Sequence, residues 1–532
     1  MKTRILFLLF LFIISPIMAQ SSKLKVIYEE KPIGVNNKFQ KEIIAKEYIF
    51  PRRIHEIYVD TISGYATTQL RKLSRNGKIL SDSGIILVYD IEKNDVKWSQ
   101  KIDFSKSYLN QYNQLIMQSK GNKLISLNIE NGNKLWECKN DFYYVNQKKG
   151  IAIGYKNSGL AGSNHLLEGI SLKNGNTIWK RELKREYGWN KKIQLNDSTL
   201  LVASAGLHTI NIFNGSGWDY ETITGKKDYS ETIAKNTAGI VLGVLTGTYV
   251  TSSGPNVVSD VVSNIIIDSA NFYIASKEKI SQVDRQSGKI NWSTNLPEDL
   301  TSKSNIFKND STLYLINSGF AYWGRKKIDF GQPFIMGLNI NTGNELIFST
   351  ISDKKDFLLD FKVDNITVSM IFKDRMVIHS LKDGSILKSN TFNADKLGDL
   401  KFFVSSSIYI KNKDLFFENL VLSDSSKYCI QTNKGKTLVL DSELNIINQL
   451  EFNQLYFNYG NYKDLVFLGN DDETIVLDKN NEEIANLKVS FDSLILGGKL
   501  YYFNNEKLVV VDLTNITEQK RNYNEVIPFN NM

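Results

Sequence analysis

Histidines are the side chains most often used for acid–base chemistry and metal binding, and this sequence spaces them far apart. The chain has 4 His, at positions 55, 165, 208 and 379, and no two of them stand at the short separation of metal ligands. His208 and His379 lie in predicted strands, where we expect structural roles. The G-x-S-x-G, H-E-x-x-H and G-x-x-x-x-G-K-[ST] patterns are absent from the sequence. The sequence therefore assigns no catalytic and no metal-binding residue.

The cysteines and the paired carboxylates do not indicate a reactive site either. Cys138 and Cys429 are far apart in sequence, and the pattern leaves open whether they form one long-range disulfide or two buried thiols. Asp471 and Asp472 lie in a predicted hairpin turn, the usual solvated position for carboxylates. Neither pair predicts a reactive site.

A segment of aromatic and basic residues is the candidate binding surface. Residues 320–327 read Phe-Ala-Tyr-Trp-Gly-Arg-Lys-Lys and interrupt two predicted strands. Exposed aromatics beside Arg and Lys are typical of contact surfaces, so Tyr322, Trp323 and Arg325 are candidate interaction residues. The alternative is a solvated loop with one aromatic packed against the fold.

A recurring hairpin must position these residues. In its clearest copy, residues 124–128 alternate apolar and polar as a half-buried strand does. Asn131-Gly132 then predicts a tight turn, because both residue types tolerate positive φ. The returning strand begins with Leu135-Trp136. Copies of this hairpin, with weaker echoes after residue 430, begin near residues 85, 124, 167, 207, 280, 335, 376, 437, 474 and 507.

The spacing of these hairpins predicts an all-β fold. Asp90, Asn128, Ser171 and Asn211 recur at about forty residues, the period of a β-propeller built from four-stranded blades. A blade cannot cover both of its own faces. We therefore expect the Trp of each hairpin, or the Phe348 that replaces it in the sixth full copy, to seal a junction between blades. Of about ten copies, the last three look partial, so we expect eight blades, within a range of seven to ten.

The Asp/Asn-x-x-x-Gly-x-x-x-Trp ending resembles the repeat of the quinoprotein-type (PQQ-like) β-propeller family. Residues 128–136, 171–179 and 284–292 carry the resemblance best. The family includes quinone-dependent dehydrogenases and cofactor-free scaffolds that bind protein partners. The dehydrogenases add a vicinal Cys pair and a carboxylate-rich calcium site, and Cys138 and Cys429 are not adjacent. The resemblance is thus closer to the cofactor-free scaffolds. It implies no cofactor and leaves PQQ and calcium open.

One long insertion, at residues 221–263, interrupts the repeat. Gly239, Gly243 and Gly247 would form one smooth stripe if residues 238–250 were helical, which would suit contact with a membrane surface or a partner. The alternative is a buried loop or strand pair packed on the propeller. Tyr249 is the interaction candidate of this segment, and the segment is too short to span a bilayer alone.

The N-terminus predicts export. A basic start, an apolar run through Ile14 and the sequence Ser15-Pro-Ile-Met-Ala-Gln20 form a secretory signal peptide with cleavage after Ala19, which leaves residues 20–532 as the propeller. No Cys stands at the cleavage point, so a lipoprotein is not expected. The expected location is the periplasm or the extracellular space.

Charge and composition exclude some functions. The net charge of +8 is spread over 532 residues without a dense basic block, which disfavours nucleic-acid binding. The sequence thus favours a non-catalytic exported scaffold in the cell envelope that binds a protein partner. The alternative is a quinone-dependent oxidoreductase or another propeller enzyme with an atypical site.

Overall fold

The computed structural model describes most of the chain. The described residues are 24–74, 80–157, 165–184, 191–204, 206–221, 248–249, 263–323, 326–404, 407–411, 417–419 and 428–517. The predicted signal peptide lies outside them, as does nearly all of the predicted insertion. Within these ranges the structure is nearly all β, as the repeat predicts.

Ten antiparallel four-stranded units follow one another along the described chain. The N-terminal hairpin consists of β1 (Ile27–Asn36) and β2 (Lys41–Ile49). Units 1 to 4 consist of β3 (Arg53–Asp60), β4 (Tyr65–Leu73), β5 (Leu80–Asp90) and β6 (Asp95–Asp103); β7 (Ser107–Tyr112), β8 (Leu115–Lys120), β9 (Lys123–Asn128) and β10 (Lys134–Cys138); β11 (Asn140–Asn146), β12 (Ile151–Lys156), β13 (Leu166–Ser171) and β14 (Thr177–Glu182); and β15 (Lys191–Gln194), β16 (Thr199–Ala203), β17 (Gly206–Asn211) and β18 (Asp219–Glu221).

The middle units contain one additional strand pair. After β19 (Thr248–Tyr249), units 5 to 7 consist of β20 (Ile266–Ile267), β21 (Asn271–Ala275), β22 (Lys279–Asp284) and β23 (Ile290–Asn295); β24 (Ser304–Asn309), β25 (Thr312–Asn317), the additional hairpin β26 (Phe320–Trp323) and β27 (Lys326–Asp329), β28 (Phe334–Asn339) and β29 (Glu345–Thr350); and β30 (Asp360–Val363), β31 (Thr367–Ile371), β32 (Arg375–Ser380) and β33 (Ile386–Thr391). The short helix α1 (Ala394–Leu397) leads to unit 8.

The C-terminal units complete the series. In unit 8, β34 (Leu400–Phe403) is followed by a hairpin, β35 (Ile408–Lys411) and β36 (Phe417–Asn419), and then by β37 (Tyr428–Thr432), β38 (Lys436–Leu440) and β39 (Ile446–Glu451). The hairpin is not part of the sheet of unit 8, because β35 pairs with the first strand of unit 9. Units 9 and 10 consist of β40 (Leu455–Tyr462), β41 (Leu465–Gly469), β42 (Thr474–Leu477) and β43 (Glu483–Leu487); and of β44 (Leu494–Leu496), β45 (Lys499–Asn504), β46 (Lys507–Asp512) and the N-terminal β2. A 3₁₀ turn (Phe452–Gln454) and helix α2 (Thr514–Thr517) stand outside the sheets.

The units close into a ring because the N-terminus supplies the last strand. β2 pairs with β46 as the fourth strand of unit 10, with Ala45 opposite Val511. β1 then bridges the outer edges, since Gly34 pairs with Leu487 of unit 9. The side chains of Tyr48 and Leu508 pack against Leu87 of unit 1 in one buried cluster, which fills the junction between the last and first units.

A buried apolar cluster fills each junction between consecutive units of the described chain. The first strands of neighbouring units contact one another, as β30 and β34 do, whereas fourth strands such as β33 are largely exposed. The first strands therefore face the axis of a β-propeller. The described chain contains ten four-stranded units, at the upper end of the predicted range of seven to ten, and the three weak C-terminal copies of the hairpin lie in units 8, 9 and 10.

The hairpin tryptophans join consecutive units as the sequence predicts. The indole Nε1 of Trp179 in unit 3 donates to the carbonyl of Ile212 in unit 4 at 2.8 Å. The ring lies on the turn glycine of unit 4, where a methyl group added to Gly215 would come within 2.5 Å of it. The equivalent donors to backbone carbonyls of the following unit are Trp98, Trp136, Trp218 and Trp292.

The Phe348 prediction is wrong. Counted four residues from the turn glycine, the position of Trp292 in unit 5 corresponds to Ile347 in unit 6, and Ile347 packs into the junction with unit 7. Phe348 is 38% exposed, and its ring packs on Phe334 of its own unit, with the centroids 5.2 Å apart. The one-residue shift turns the side chain to the other face of the strand.

Candidate functional site

The two edges of the ring differ in their connections. The turns between third and fourth strands, with the turns between first and second strands, lie at one edge, which we call the turn face. Connections between second and third strands, and between consecutive units, lie at the opposite edge, which we call the insertion face. In unit 6 the pairing of Asn317 with Phe334, and of Phe334 with Thr350, fixes this arrangement.

Long connections of the insertion face cluster on units 3 to 6, which we call the insertion sector. The residue pairs where these connections begin and end are Lys156 and Leu166, Glu182 and Lys191, Glu221 and Ile266, and Asn317 and Phe334. The connections from Thr350 to Asp360 and from Thr391 to Leu400, at the same edge, are about as long as the two shorter ones of the sector. The two longest connections at this edge, Glu221 to Ile266 and Asn317 to Phe334, therefore distinguish the sector. One long connection, between β34 and β37, begins at the turn face instead.

The structure separates the predicted interaction residues. Tyr322 and Trp323 lie in β26, paired with Lys327 and Lys326, so this segment is a strand hairpin of the insertion sector rather than a loop. Arg325 lies outside the described residues. Phe320, at the base of the hairpin, is buried and packs on Phe357 with ring centroids 5.8 Å apart. One aromatic of the segment thus packs against the fold.

Tyr249 belongs to a different unit. β19 pairs with the inner edge of β11, where Tyr249 stands opposite Val145 and Thr248 opposite Asn146. That end of β11 leads into the turn face, because Asn146 pairs with Ile151 across the first turn of unit 3. Tyr249 and Trp323 therefore do not form one surface. The rest of residues 238–250, for which contact with a membrane surface or a partner and burial on the propeller were the two alternatives, lies outside the described residues.

His208 has a structural role in its described contacts, as the sequence predicts. His208, 3% exposed, lies 2.7 Å through Nδ1 from the Asp219 carboxylate and 2.8 Å through Nε2 from the Ser204 carbonyl. Arg181 of unit 3 donates to the same Asp219 oxygen at 2.6 Å. Hydrogen bonds from His208 and Arg181 outweigh burial and lower the pKa of Asp219. The cluster connects units 3 and 4 by polar contacts.

Cys138 and Cys429 lie in β10 of unit 2 and β37 of unit 8, and no disulfide joins them. Burial raises the pKa of Cys138 to about 12, so its thiol is protonated at neutral pH. Within the described part of the chain, no group of three or more His, Cys, Asp or Glu side chains is placed to hold a metal ion. Nor is any described helix long and apolar enough to cross a membrane.

His379 predicts a pH dependence of stability. The side chain is 1% exposed, and burial lowers its pKa below the usual 6.5. The unfolded chain therefore takes up the proton more readily, so acidification below pH 6.5 lowers the free energy of unfolding, by up to about 1.4 kcal/mol per pH unit. We expect His379→Gln to reduce this slope in urea unfolding between pH 7 and 5.5. His165→Gln is the control that retains the contribution of His379, and an unchanged slope in His379→Gln would contradict the assignment.

A polar cavity of about 680 Å³ lies at the turn face between units 4 and 5. Residues from both units line it: Leu195, Asn196, Thr199, Thr209, Asn211, Ser216, Gly217, Trp218, Ser269, Ala270, Asp284, Arg285 and Gln286. Sequence reasoning missed this site. A second cavity, of about 720 Å³, lies beside the closing strands and is lined by charged groups such as Glu30, Lys41 and Lys499.

The fold is a β-propeller, and its repeats resemble those of the PQQ-like family. The family model described as "Outer membrane protein assembly factor BamB" matches residues 72–294, which confirms the resemblance predicted from the repeat. No curated protein matches the chain.

Solved structures similar to the chain include other propellers. BamB from Moraxella catarrhalis is 13% identical with a TM-score of 0.32, over 73% of this chain and 97% of that one. A eukaryotic initiation factor is 9% identical with a TM-score of 0.33, over 76% of this chain and 95% of that one. The Cps50 (Swd1) β-propeller domain of Myceliophteria thermophila is 8% identical with a TM-score of 0.26, over 74% and 98% of the two chains.

Proposed function

We propose that the chain is a non-catalytic, exported scaffold that binds a protein partner in the cell envelope. The match of residues 72–294 to the assembly-factor family supports an envelope role of this kind. The basic and apolar N-terminus supports export through the secretory pathway.

The observation that carries the proposal is that the two longest connections of the insertion face, Glu221 to Ile266 and Asn317 to Phe334, both lie on the insertion sector. A rigid ring that holds several loops at one edge is the usual way in which a propeller or barrel presents a binding surface. The hairpin β26–β27 extends from this edge, and it places Tyr322 and Trp323 in register with Lys327 and Lys326. Tyr and Trp are among the side chains that contribute most to binding at protein interfaces.

Partner recovery from the native envelope tests the proposal. We expect the double variant Tyr322→Ser/Trp323→Ser to recover at least about tenfold less of its specific partner in quantitative affinity purification, because loss of interface aromatics costs about 2 kcal/mol or more each. The matched control is Ile62→Ser/Ile366→Ser, which removes two apolar side chains of the turn face that are 79% and 75% exposed. Equal recovery by the two double variants, both with unchanged thermal stability, would contradict the assignment of the surface.

The enzyme alternative has its own test. Calorimetric titration of the mature chain with PQQ in the presence of Ca²⁺ is expected to give no saturable heat. Stoichiometric quinone binding would overturn the non-catalytic proposal and favour a quinone-dependent oxidoreductase.

A further inference from the structure

At the cavity between units 4 and 5 one position of the repeat differs from most of the other units. The residue that follows the Asp, Asn or Ser at the end of the third strand is a buried aliphatic in seven units: Ile91, Ile129, Leu172, Ile212, Ile340, Leu381 and Leu513. Units 8 and 9 have Ser442 and Lys479 after their turn aspartates. In unit 5 this residue is Arg285, which is only half-buried. Its carbonyl still accepts the indole proton of Trp218 at 3.2 Å, so the backbone is retained and only the side chain differs.

The guanidinium of Arg285 is placed to bind an anion. Its Nη1 donates to the carbonyl of Asp268 at 3.1 Å, and no carboxylate of the described chain lies within ion-pair distance of it. The neighbouring Asp284 uses Oδ1 to accept hydrogen bonds from Ser287, at 2.6 Å from the hydroxyl and 2.7 Å from the amide. A half-buried arginine is normally paired, and its planar fork suits a carboxylate.

The remaining lining offers neutral hydrogen-bonding groups. The Oδ1 atoms of Asn196 and Asn211 accept backbone hydrogen bonds within their own turns, at 2.9 Å from Thr199 and 2.9 Å from Phe213. Their amide nitrogens donate no hydrogen bond within the described structure, and they line the cavity with the hydroxyl of Ser269. Trp218 is half-buried, whereas Trp136 and Trp179 are each 7% exposed, so part of its indole is open to a ligand.

We propose that this cavity binds an acidic saccharide, with the sugar carboxylate on Arg285 and the hydroxyls on Asn196, Asn211 and Asp284. The cavity has one cation, Arg285, beside one carboxylate, Asp284, so it suits a ligand with a single negative charge. A phosphate would require further cationic groups. Amide donors, a carboxylate acceptor and an indole surface match the hydroxyls and C–H faces of a sugar ring. A volume near 680 Å³ lies within the range of about 300–1,000 Å³ that is usual for small-ligand sites. This site is independent of the insertion sector.

Titration with a defined pair of sugars tests the proposal. The mature full-length chain is titrated calorimetrically with digalacturonate and with its neutral counterpart, digalactose. We expect saturable binding of digalacturonate and at least about tenfold weaker binding of digalactose. Arg285→Gln is expected to weaken digalacturonate binding at least about tenfold, whereas Lys289→Gln, which removes an exposed charge outside the cavity in the same turn, should not change it.

A second variant separates binding from folding. Ser269→Leu places an apolar side chain in the cavity at an exposed position and retains Arg285, so we expect it to abolish binding with an unchanged thermal midpoint. Absence of saturable digalacturonate binding would overturn the proposal, as would equal affinity for digalactose or undiminished binding by Arg285→Gln. None of these outcomes bears on partner binding through β26–β27.

Discussion

Trp179→Ala is expected to lower the free energy of unfolding by about 3–5 kcal/mol, the usual cost of truncating a buried tryptophan. The indole is 7% exposed, and the substitution removes its hydrogen bond to the Ile212 carbonyl, which is 2.8 Å long. It also opens a cavity between units 3 and 4. Because each unit is stabilised by packing on its neighbours, a weaker junction between units 3 and 4 should destabilise the whole ring.

The neighbouring residue provides the control for Trp179. Ile178 stands beside it in β14 and is 49% exposed, so Ile178→Ala should change the free energy of unfolding by less than about 0.5 kcal/mol. Urea unfolding followed by tryptophan fluorescence and circular dichroism measures both variants. Similar losses in the two variants would show that the indole does not join the units.

Gly175→Ala is expected to destabilise the protein more than Gly150→Ala, although both glycines lie in turns of unit 3. Their φ angles are +74° and +68°, so a side chain strains the backbone at both positions, at about 1–2 kcal/mol. A methyl group on Gly175 would also lie 2.6 Å from the ring of Trp136, whereas Gly150 has no atom within 4 Å of that position. Overpacking at Gly175 should add about 1–3 kcal/mol.

The difference between these two variants isolates the contact between units. Differential scanning calorimetry of both, at one protein concentration and pH, gives the comparison directly. A lower thermal midpoint for Gly150→Ala than for Gly175→Ala would contradict packing of Trp136 on the turn of the next unit.

The repeat predicts the architecture well because turn chemistry and packing require particular residues. A positive φ favours Gly, and a junction between units favours an aromatic side chain, so both appear at fixed spacing in the N-terminal half. In units 8 and 9 the positive-φ positions are Leu444 and Asn481, with φ of +66° and +61°. These units therefore look partial in sequence although their strands are complete.

Ring closure could not be predicted in the same way. The pairing of Ala45 with Val511 joins the two ends of the described chain, and no local pattern specifies so distant a partner. Part of the site between units 4 and 5 could have been predicted from the sequence. Alignment of the copies would have shown Arg285 where seven other units have Ile or Leu. Whether that side chain lines a cavity depends on packing between units, which no local pattern specifies.

Site-specific photo-cross-linking in intact cells tests the scaffold account most directly. A benzophenone amino acid is placed at position 323 in the insertion sector and, as the matched control, at position 366 in the turn face. The account predicts that position 323 cross-links to one specific envelope protein and that position 366 does not. Cross-linking to that protein from position 366 alone, or no specific cross-link from either position, would contradict it.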